Sequence, residues 1–354
     1  MTPDAHILRE LRDAADRALS VSELTAQAGL SRGALEERIA GLREAGYEIE
    51  LVPHLGYRLR SVPDRLIADD LSGLLSRNGA PRKIAREILV FEETGSTNDV
   101  AARLARAGTP EGLVVFAERQ TAGRGRLGRR WDSAARKGLW FSLLLRPSLS
   151  LAGWSRLTTW AALGVARGLE EALPGCRAAI KWPNDVYLCG RKAVGILIES
   201  AAARSDASGN FAIVGIGVNV NQTVSDFPEE LASRATSLRL AAGEDAPPLD
   251  RQEVAAALLC HLNTLYGQLV DTEDTEDTED TEGAEGFPAL VAEAEARSLL
   301  VGQWVEIAGP TGTLHGMAEG LEPDGSLRVR REDGSTLAIS GGEVTVSNWR
   351  NRNP

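Results

Sequence analysis

From Arg119 to Trp131 the chain reads Arg-Gln-Thr-Ala-Gly-Arg-Gly-Arg-Leu-Gly-Arg-Arg-Trp, and whatever this chain folds into must display that stretch as a loop. Arg124, Arg126, Arg129 and Arg130 are spaced by Gly123, Gly125 and Gly128, and an indole closes the run. Glycine leaves backbone N–H groups open to an anion, and guanidinium forks add bidentate charge, so the loop is suited to phosphate. The competing reading is a solvated basic loop with no ligand. The glycines also match G-x-G-x-x-G, the dinucleotide fingerprint, which requires a strand-to-helix turn and an acid about 20 residues on. Arg129-Arg130-Trp131-Asp132 cannot begin a helix packed on a sheet, and Arg146-Pro147 stands where the acid belongs. A nicotinamide-dependent enzyme is therefore disfavoured.

A length of 354 residues allows two or three domains. The formal charge of −11 is unevenly spread: nine acids and no bases lie between Asp271 and Glu285, leaving the rest of the chain at −2. This Asp-Thr-Glu repeat has almost nothing apolar to bury and is expected to be a disordered linker. Cys176, Cys189 and Cys260 are an odd number, far apart in sequence and without a C-x-x-C pair, so they are expected to be reduced and mostly buried. With neither a signal-like N-terminus nor an apolar run near ~18 residues, the expected location is cytoplasmic, without membrane contact. His6, His54, His261 and His315 fit no metal-ligand spacing, and no Walker A pattern occurs.

The sequence divides into six stretches. In residues 1–62, Ser20-x-x-Glu23 or Ser22 can cap a short helix that Gly29 ends, and Ser31 can cap a second with Leu35, Ile39 and Leu42 on one face. A change to alternating apolar residues around Pro53-His54-Leu55-Gly56 then predicts a β-hairpin, giving a winged helix-turn-helix. Residues 63–85 connect, with helix expected from about Arg65 to Leu75. Residues 86–270 alternate strands, tight turns and helices, as in an α+β domain around a mixed sheet. The acidic linker covers 271–285 and a short helix 286–299. Short strands separated by Asp324-Gly325 and Asp333-Gly334 predict a small β-barrel over 300–350.

Five motifs occur together and in order: Ser96-Thr97-Asn98; Gln120 with Gly123-Arg124-Gly125-Arg126-x-Gly128-x-x-Trp131; Lys181-Trp182-Pro183-Asn184-Asp185; Arg191-Lys192-x-x-Gly195-Ile196-Leu197; and Gly215-x-Gly217-x-Asn219. With the winged helix in front, the chain resembles the bifunctional biotin protein ligases and biotin-operon repressors over nearly its full length. The resemblance implies a catalytic domain of the class II synthetase-like type and an SH3-like C-terminal barrel. It further implies that biotin and Mg-ATP give biotinyl-5′-AMP and pyrophosphate, after which a lysine of a biotin carboxyl carrier protein takes the biotinyl group. On this reading Ser96, Thr97, Asn98, Gln120, Gly123, Arg124, Gly125, Arg126, Lys192, Gly195 and Gly217 hold biotin. Arg126, Arg129, Trp131, Asn184, Lys192 and Asn219 hold ATP or the adenylate, and Lys192, Arg124, Arg126 and Asp185 are the catalytic set. Lys192 is electrostatic and not a nucleophile, while Asp185 is a candidate for Mg²⁺ or for deprotonating the acceptor lysine. The Gly-Arg loop is expected to be flexible and to fold over biotin first, completing the nucleotide site.

For DNA, the resemblance implies operator binding by a homodimer that biotinyl-5′-AMP promotes, with Ser31, Arg32, Arg38, Arg43 and Arg58 as candidate contacts. The charge is unfavourable: residues 1–65 hold nine Arg and eleven acids, and Glu36 and Glu37 lie on the expected recognition helix. The alternatives are a ligase whose winged helix no longer binds DNA and a regulator that has kept only a biotin sensor.

Overall fold

The computed structural model describes residues 1–77, 79, 81–149, 151–201, 210–270, 286–309 and 312–346. The acidic repeat at 271–285 and the last four positions of the expected barrel, 347–350, lie outside them. No helix among the described residues is long and apolar enough to cross a membrane.

The N-terminal unit has one helix more than the sequence reading placed. Helix α1 (Pro3–Asp13) is capped by the Thr2 hydroxyl and carries Ile7, Leu8 and Leu11 inward at helical spacing. Helix α2 (Val21–Ala28) begins with a Ser20/Glu23 capping box and ends at Gly29 in the left-handed conformation. Ser31 caps α3 (Arg32–Glu44), whose Leu35 and Ile39 join the same core. Strands β1 (Glu48–Val52) and β2 (Gly56–Ser61) pair antiparallel as the wing. The unit is a winged helix-turn-helix.

In the connecting segment, helix α4 (Ala68–Leu75) starts three residues later than Arg65. The Leu66 N–H is instead donated to the Glu118 carboxylate, which holds the chain extended there. Asp70 on α4 is fully buried and saturated: Arg12 of α1 grips both its oxygens at 2.7 Å, Tyr47 donates at 2.8 Å and Gln252 at 2.6 Å. This cluster fastens the winged helix to the domain that follows.

That domain contains β3 (Glu87–Thr94), α5 (Thr97–Arg106), β4 (Leu113–Gln120), β5 (Gly138–Leu145), α6 (Arg156–Ala172), β6 (Ala178–Lys181), β7 (Asp185–Leu188), β8 (Arg191–Ala201), β9 (Phe211–Asn219), α7 (Glu229–Ala232), α8 (Leu238–Ala242) and α9 (Arg251–Val270). Its seven strands run in the order β3-β4-β5-β9-β8-β7-β6, with only β3 and β4 parallel. Alternation along β4 sorts the two faces: Val114 and Phe116 join the core with α6 and α9, while Leu113 and Val115 pack with α5. Helices α6 and α9 approach closely at Gly164 and Gly168, where a Cβ would meet Leu262 and Leu258 at under 3 Å.

The C-terminal unit is α10 (Phe287–Ala296) followed by β10 (Trp304–Gly309), β11 (Gly312–Leu321), β12 (Leu327–Arg330), β13 (Thr336–Ile339) and β14 (Glu343–Val346). They form an antiparallel sheet in the order β13-β12-β11-β10-β14, and β14 was not anticipated from the sequence. Val305, Ile307, Ala318, Leu327 and Val344 continue the core of the central domain, and the Trp182 indole donates to the Gly325 carbonyl at 3.0 Å. The sheet therefore abuts the hairpin of β6 and β7.

At the first residue of α9, Arg251 pairs with Glu118 of β4 at 2.6 Å, the two side chains being 1% and 3% exposed. Removing one member of such a pair strands a buried charge. Glu118→Leu is expected to destabilise the chain by about 3–5 kcal/mol, and the double variant Glu118→Leu with Arg251→Met by less than either single change. Urea unfolding of the three variants checks this ordering; additive losses would show that the two charges act independently.

Candidate active site

The site is built on three neighbouring strands. Gly195 of β8 and Gly217 of β9 are register partners, and Gly217 also faces Trp140 of β5. A Cβ on Gly195 or Gly217 would meet the Trp131 ring at 2.7 or 2.6 Å, so the two glycines form the floor on which the indole lies. The ring packs edge-on against Trp140, with centroids 6.3 Å apart. Its N–H is buried without an acceptor among the described residues.

A polar corner stands beside this floor. Ser96, Thr97 and Asn98 occupy the start of α5, each no more than 4% exposed. The Gln120 carboxamide oxygen accepts from Thr97 N–H at 2.8 Å, and its nitrogen donates to Ser133 Oγ at 3.2 Å. The Ser142 hydroxyl lies 2.7 Å from Thr97 Oγ1 and 2.6 Å from Asn98 Oδ1. Asn98 Nδ2 donates to Glu199 at 2.7 Å. Gly215 leaves room for Asn98, whose Oδ1 would be 2.2 Å from a Cβ there. Ser133, Ser142 and Glu199 were missed from the sequence. Ser142 had a signal, being the one polar residue within Leu139-Trp140-Phe141-Ser142-Leu143-Leu144-Leu145.

The Gly-Arg loop folds into a tight hairpin. Trp131 N–H bonds Gly123 O at 2.9 Å and Gly125 N–H bonds Arg129 O at 2.7 Å, with Leu127 and Gly128 at positive φ in the tip. Its arginines are partnered unequally. Arg124 makes a bidentate pair with Asp99 at 2.7 and 2.8 Å and lies 3.4 Å from Glu199. Arg129 is ion-paired with Glu343 of β14. The hydrogen bond and charge from Arg124 hold the Asp99 carboxyl below its usual range, and Arg129 does the same to Glu343. Among the described residues Arg126 has neutral hydrogen-bond partners, donating to Asn184 Oδ1 at 2.9 Å and Gly342 O at 3.1 Å. Burial draws its guanidinium below the usual arginine range, and the nearby charges of Asp185 and Glu343, neither in an ion pair with it, offset that only in part.

Across the floor, Lys192 Nζ is 2.7 Å from Asp185 Oδ1 and 5.5 Å from the centre of the Trp131 ring. Its backbone is pinned on both sides, N–H to Arg234 O and C=O to Thr236 N–H, each at 2.8 Å. Asn219 donates to Thr236 O at 3.0 Å and accepts from Gln222 at 3.1 Å. Asn184 Nδ2 donates to Ile196 O at 2.8 Å. One cavity of about 510 Å³ is lined by Ser96, Thr97, Asn98, Gln120, Arg124, Gly125, Arg126, Arg129, Trp131, Asn184, Asp185, Lys192, Gly195, Gly217 and Asn219. Gly123, against Trp131 O and Gln120, lies just behind that lining. The four histidines stay outside the cavity, and among the described residues no three His, Cys, Asp or Glu side chains are grouped to hold a metal ion.

The DNA-contact candidates form a separate set on the winged helix. The Ser31 hydroxyl is used as the cap of α3. Arg32 pairs with Glu36 at 2.9 Å, Arg38 with Asp4 at 3.6 Å and Arg58 with Glu50 at 2.9 Å. Arg43 donates to Ile49 O at 2.8 Å at the base of the wing.

Fold and pocket together define a mixed-sheet domain with a cation-lined cavity beside a buried polar corner, and a winged helix attached. A profile of the biotin/lipoate A/B protein ligase family matches residues 90–221, one of the biotin protein ligase C-terminal domain matches 300–347, and one of a helix-turn-helix domain matches 5–58. The bifunctional ligase/repressor BirA of Bacillus subtilis is 35% identical over 89% of this chain and 90% of its own length. The biotin–[acetyl-CoA-carboxylase] ligase of Mycobacterium tuberculosis is 35% identical over 73% of this chain and 88% of its own. The biotin protein ligase from Aquifex aeolicus, solved in complex with biotin and ATP, aligns with a TM-score of 0.60 at 30% identity, covering 74% of this chain and 100% of that one. The chain belongs to the biotin protein ligases, in the form that carries an N-terminal helix-turn-helix.

The glycine floor yields a direct test. Gly217→Ala must displace the Trp131 ring, an overpacking cost of about 1–3 kcal/mol at the site. Biotin affinity is expected to fall about tenfold or more, with a shifted tryptophan emission and little change in the winged-helix unit. Unchanged biotin affinity would show that the floor does not set the pocket.

Proposed function

We propose that the chain catalyses ATP-dependent biotinylation in the cavity under the Gly-Arg loop. The biotin carboxylate attacks the α-phosphorus of ATP, pyrophosphate leaves, and a lysine of a biotin carboxyl carrier protein then attacks the acyl carbon and expels AMP. Biotin and ATP are the substrates of this family's ligases, as in the relative solved with both. The observation that carries the assignment is Arg126. It is a half-buried guanidinium that forms no ion pair with a described carboxylate and lines the same cavity as Lys192, an arrangement suited to an anion.

The residues divide the work. Ser96, Thr97, Asn98 and Gln120 form a corner of short donors and acceptors in which Gln120 holds Thr97 and Ser142 holds Thr97 and Asn98, the kind of arrangement a ureido ring requires when it leaves water. Gly195 and Gly217 keep the floor flat, and Gly123 and Gly125 let the loop fold close. Lys192, with Arg124 and Arg126, offsets the repulsion between carboxylate and phosphate and the charge developing in the transition state. Asp185 orients the Lys192 ammonium and is the candidate to help deprotonate the acceptor lysine. Trp131, Asn184, Arg129 and Asn219 line the nucleotide part of the cavity. Asp185 is the candidate carboxylate that would help hold Mg²⁺, which would offset phosphate charge when bound with ATP.

Lys192→Ala should cut biotinyl-5′-AMP formation by roughly 10²-fold while leaving biotin binding largely intact, the loss expected for one preorganised charge. Arg126→Gly should release preformed adenylate faster than the parent chain. Single-turnover formation of adenylate and its off-rate measure both; a near-normal rate in Lys192→Ala would remove that residue from the catalytic set.

We further propose that the winged helix represses transcription as an adenylate-promoted homodimer on operator DNA. Arg32, Arg38 and Arg58 each already face an acid within the unit, so one copy offers few free cations to phosphate. Log affinity falls with log salt by about 0.9 per neutralised phosphate, which makes two half-sites necessary at physiological salt. A mobility shift on the protein's own biotin-synthesis promoter is expected only with biotin and ATP together, and to depend on protein concentration. Tight binding by the ligand-free chain would overturn the dimer requirement; no binding under any condition would leave a ligase alone.

A further inference from the structure

Two of the three cysteines, 13 residues apart in sequence, meet in space with their sulfurs 3.9 Å apart. The expectation that the thiols are mostly buried is corrected here: Cys189 is exposed, and Cys176 and Cys260 are half-buried. Cys176 follows α6 in a turn closed by its own N–H to Leu173 O at 3.2 Å. Cys189 and Gly190 form the two-residue turn between β7 and β8, both at positive φ. The last pair of the β6–β7 ladder is Ala178 with Leu188, so the two cysteines stand just beyond its open end. The opposite end of this hairpin is the Trp182-Pro183-Asn184 turn, which lines the active-site cavity. Lys192 lies three positions after Cys189.

We propose that Cys176 and Cys189 are a redox modification site, a dithiol that a hydroperoxide converts to a disulfide across the open end of the β6–β7 hairpin. A disulfide needs the sulfurs at about 2.05 Å, so each side chain must rotate to bring them roughly 2 Å closer, and both flank turns rather than ladder positions. Cys189 reacts first because it is the exposed sulfur. Burial and the neighbouring sulfur push the Cys176 thiol up to about 11, which leaves it the resolving partner. The Cys189 thiolate attacks a peroxide oxygen, breaking the O–O bond and forming a sulfenic acid as water departs after protonation. The Cys176 sulfur then attacks Cys189, forming the S–S bond and displacing hydroxide, which its own released proton converts to water. With hydrogen peroxide, two thiols and one peroxide become one disulfide and two waters. A dithiol reductant returns both thiols by exchange. The closed loop encloses the Lys181–Asp185 segment, so the link fastens the hairpin that delivers Asn184 and Asp185.

The full chain treated with hydrogen peroxide tests this. Two thiols should be lost, reversibly with dithiothreitol, and trypsin should yield Gly168–Arg177 joined to Trp182–Arg191, peptides that only this bond can connect. The oxidised chain should melt at a higher temperature, since closing a loop restricts the unfolded state. In Cys176→Ser, Cys189 should accumulate a dimedone-reactive sulfenic acid. A linked peptide containing Cys260, a disulfide-bridged dimer, or Cys189 overoxidised beside an intact Cys176 thiol in the parent chain would each overturn the proposal.

Discussion

The Glu118–Arg251 ion pair is the joint on which three parts of the molecule meet. Glu118 projects from β4, two residues before Gln120 of the polar corner, and accepts the Leu66 N–H of the connecting segment. Arg251 opens α9 and also donates to Gly138 O at the start of β5 and to Asp64. The next residue, Gln252, reaches Asp70, which in turn grips Arg12 and Tyr47 of the winged helix. Buried charges cost desolvation that their attraction only roughly repays, so a network of this kind contributes uniqueness of arrangement more than stability. Its effect is to fix the connecting segment, the sheet edge of the pocket and the helix-turn-helix in one geometry.

The pocket follows the opposite logic. Arg124, Arg129 and Lys192 are each held by a carboxylate, but their side chains are 37%, 63% and 31% exposed. Ion pairs this wet are worth about 0–1 kcal/mol, so an incoming carboxylate or phosphate can exchange with Asp99, Glu343 or Asp185 at little cost. The internal acids hold the cations in place and brace the folded loop. The folded hairpin is tied to the C-terminal sheet by Arg129 on Glu343 of β14 and by Arg126 on the Gly342 carbonyl just before that strand. Arg126 is the exception, being half-buried and only partly compensated by the more distant charges of Asp185 and Glu343.

Much of the site was legible in the sequence because its residues sit in short contiguous motifs whose chemistry is self-evident. Caps at Ser20 and Ser31, the turn at Gly29 and the phosphate-suited loop are local facts, and local facts survive folding. What could not be read depends on long-range contact. Arg126 and Gly342 are 216 residues apart, and Arg12 and Asp70 are 58 apart; nothing in either neighbourhood announces the other. The glycines of β8 and β9 were recognised as motif positions, but the reason for them, the face of Trp131, appears only in the folded chain. Helix α1 was overlooked although its apolar spacing is regular, and the late start of α4 reflects a tertiary bond from Leu66 overriding helical preference.

These magnitudes bear on how a ligand in the pocket can govern the winged helix. Swinging that unit about the connecting segment would break the Arg12–Asp70 contacts, in which both side chains are almost inaccessible at 6% and 0% exposure. Separating such a pair costs about 3–5 kcal/mol. Coupling between two ligand sites is typically only about 1–3 kcal/mol, too little to drive that hinge. Association of two copies has no such barrier, since ligand binding then needs only to favour one interface and mass action does the rest. The proposed adenylate-promoted dimer is therefore the cheaper way to couple pocket and winged helix, because the buried network opposes a hinge between them.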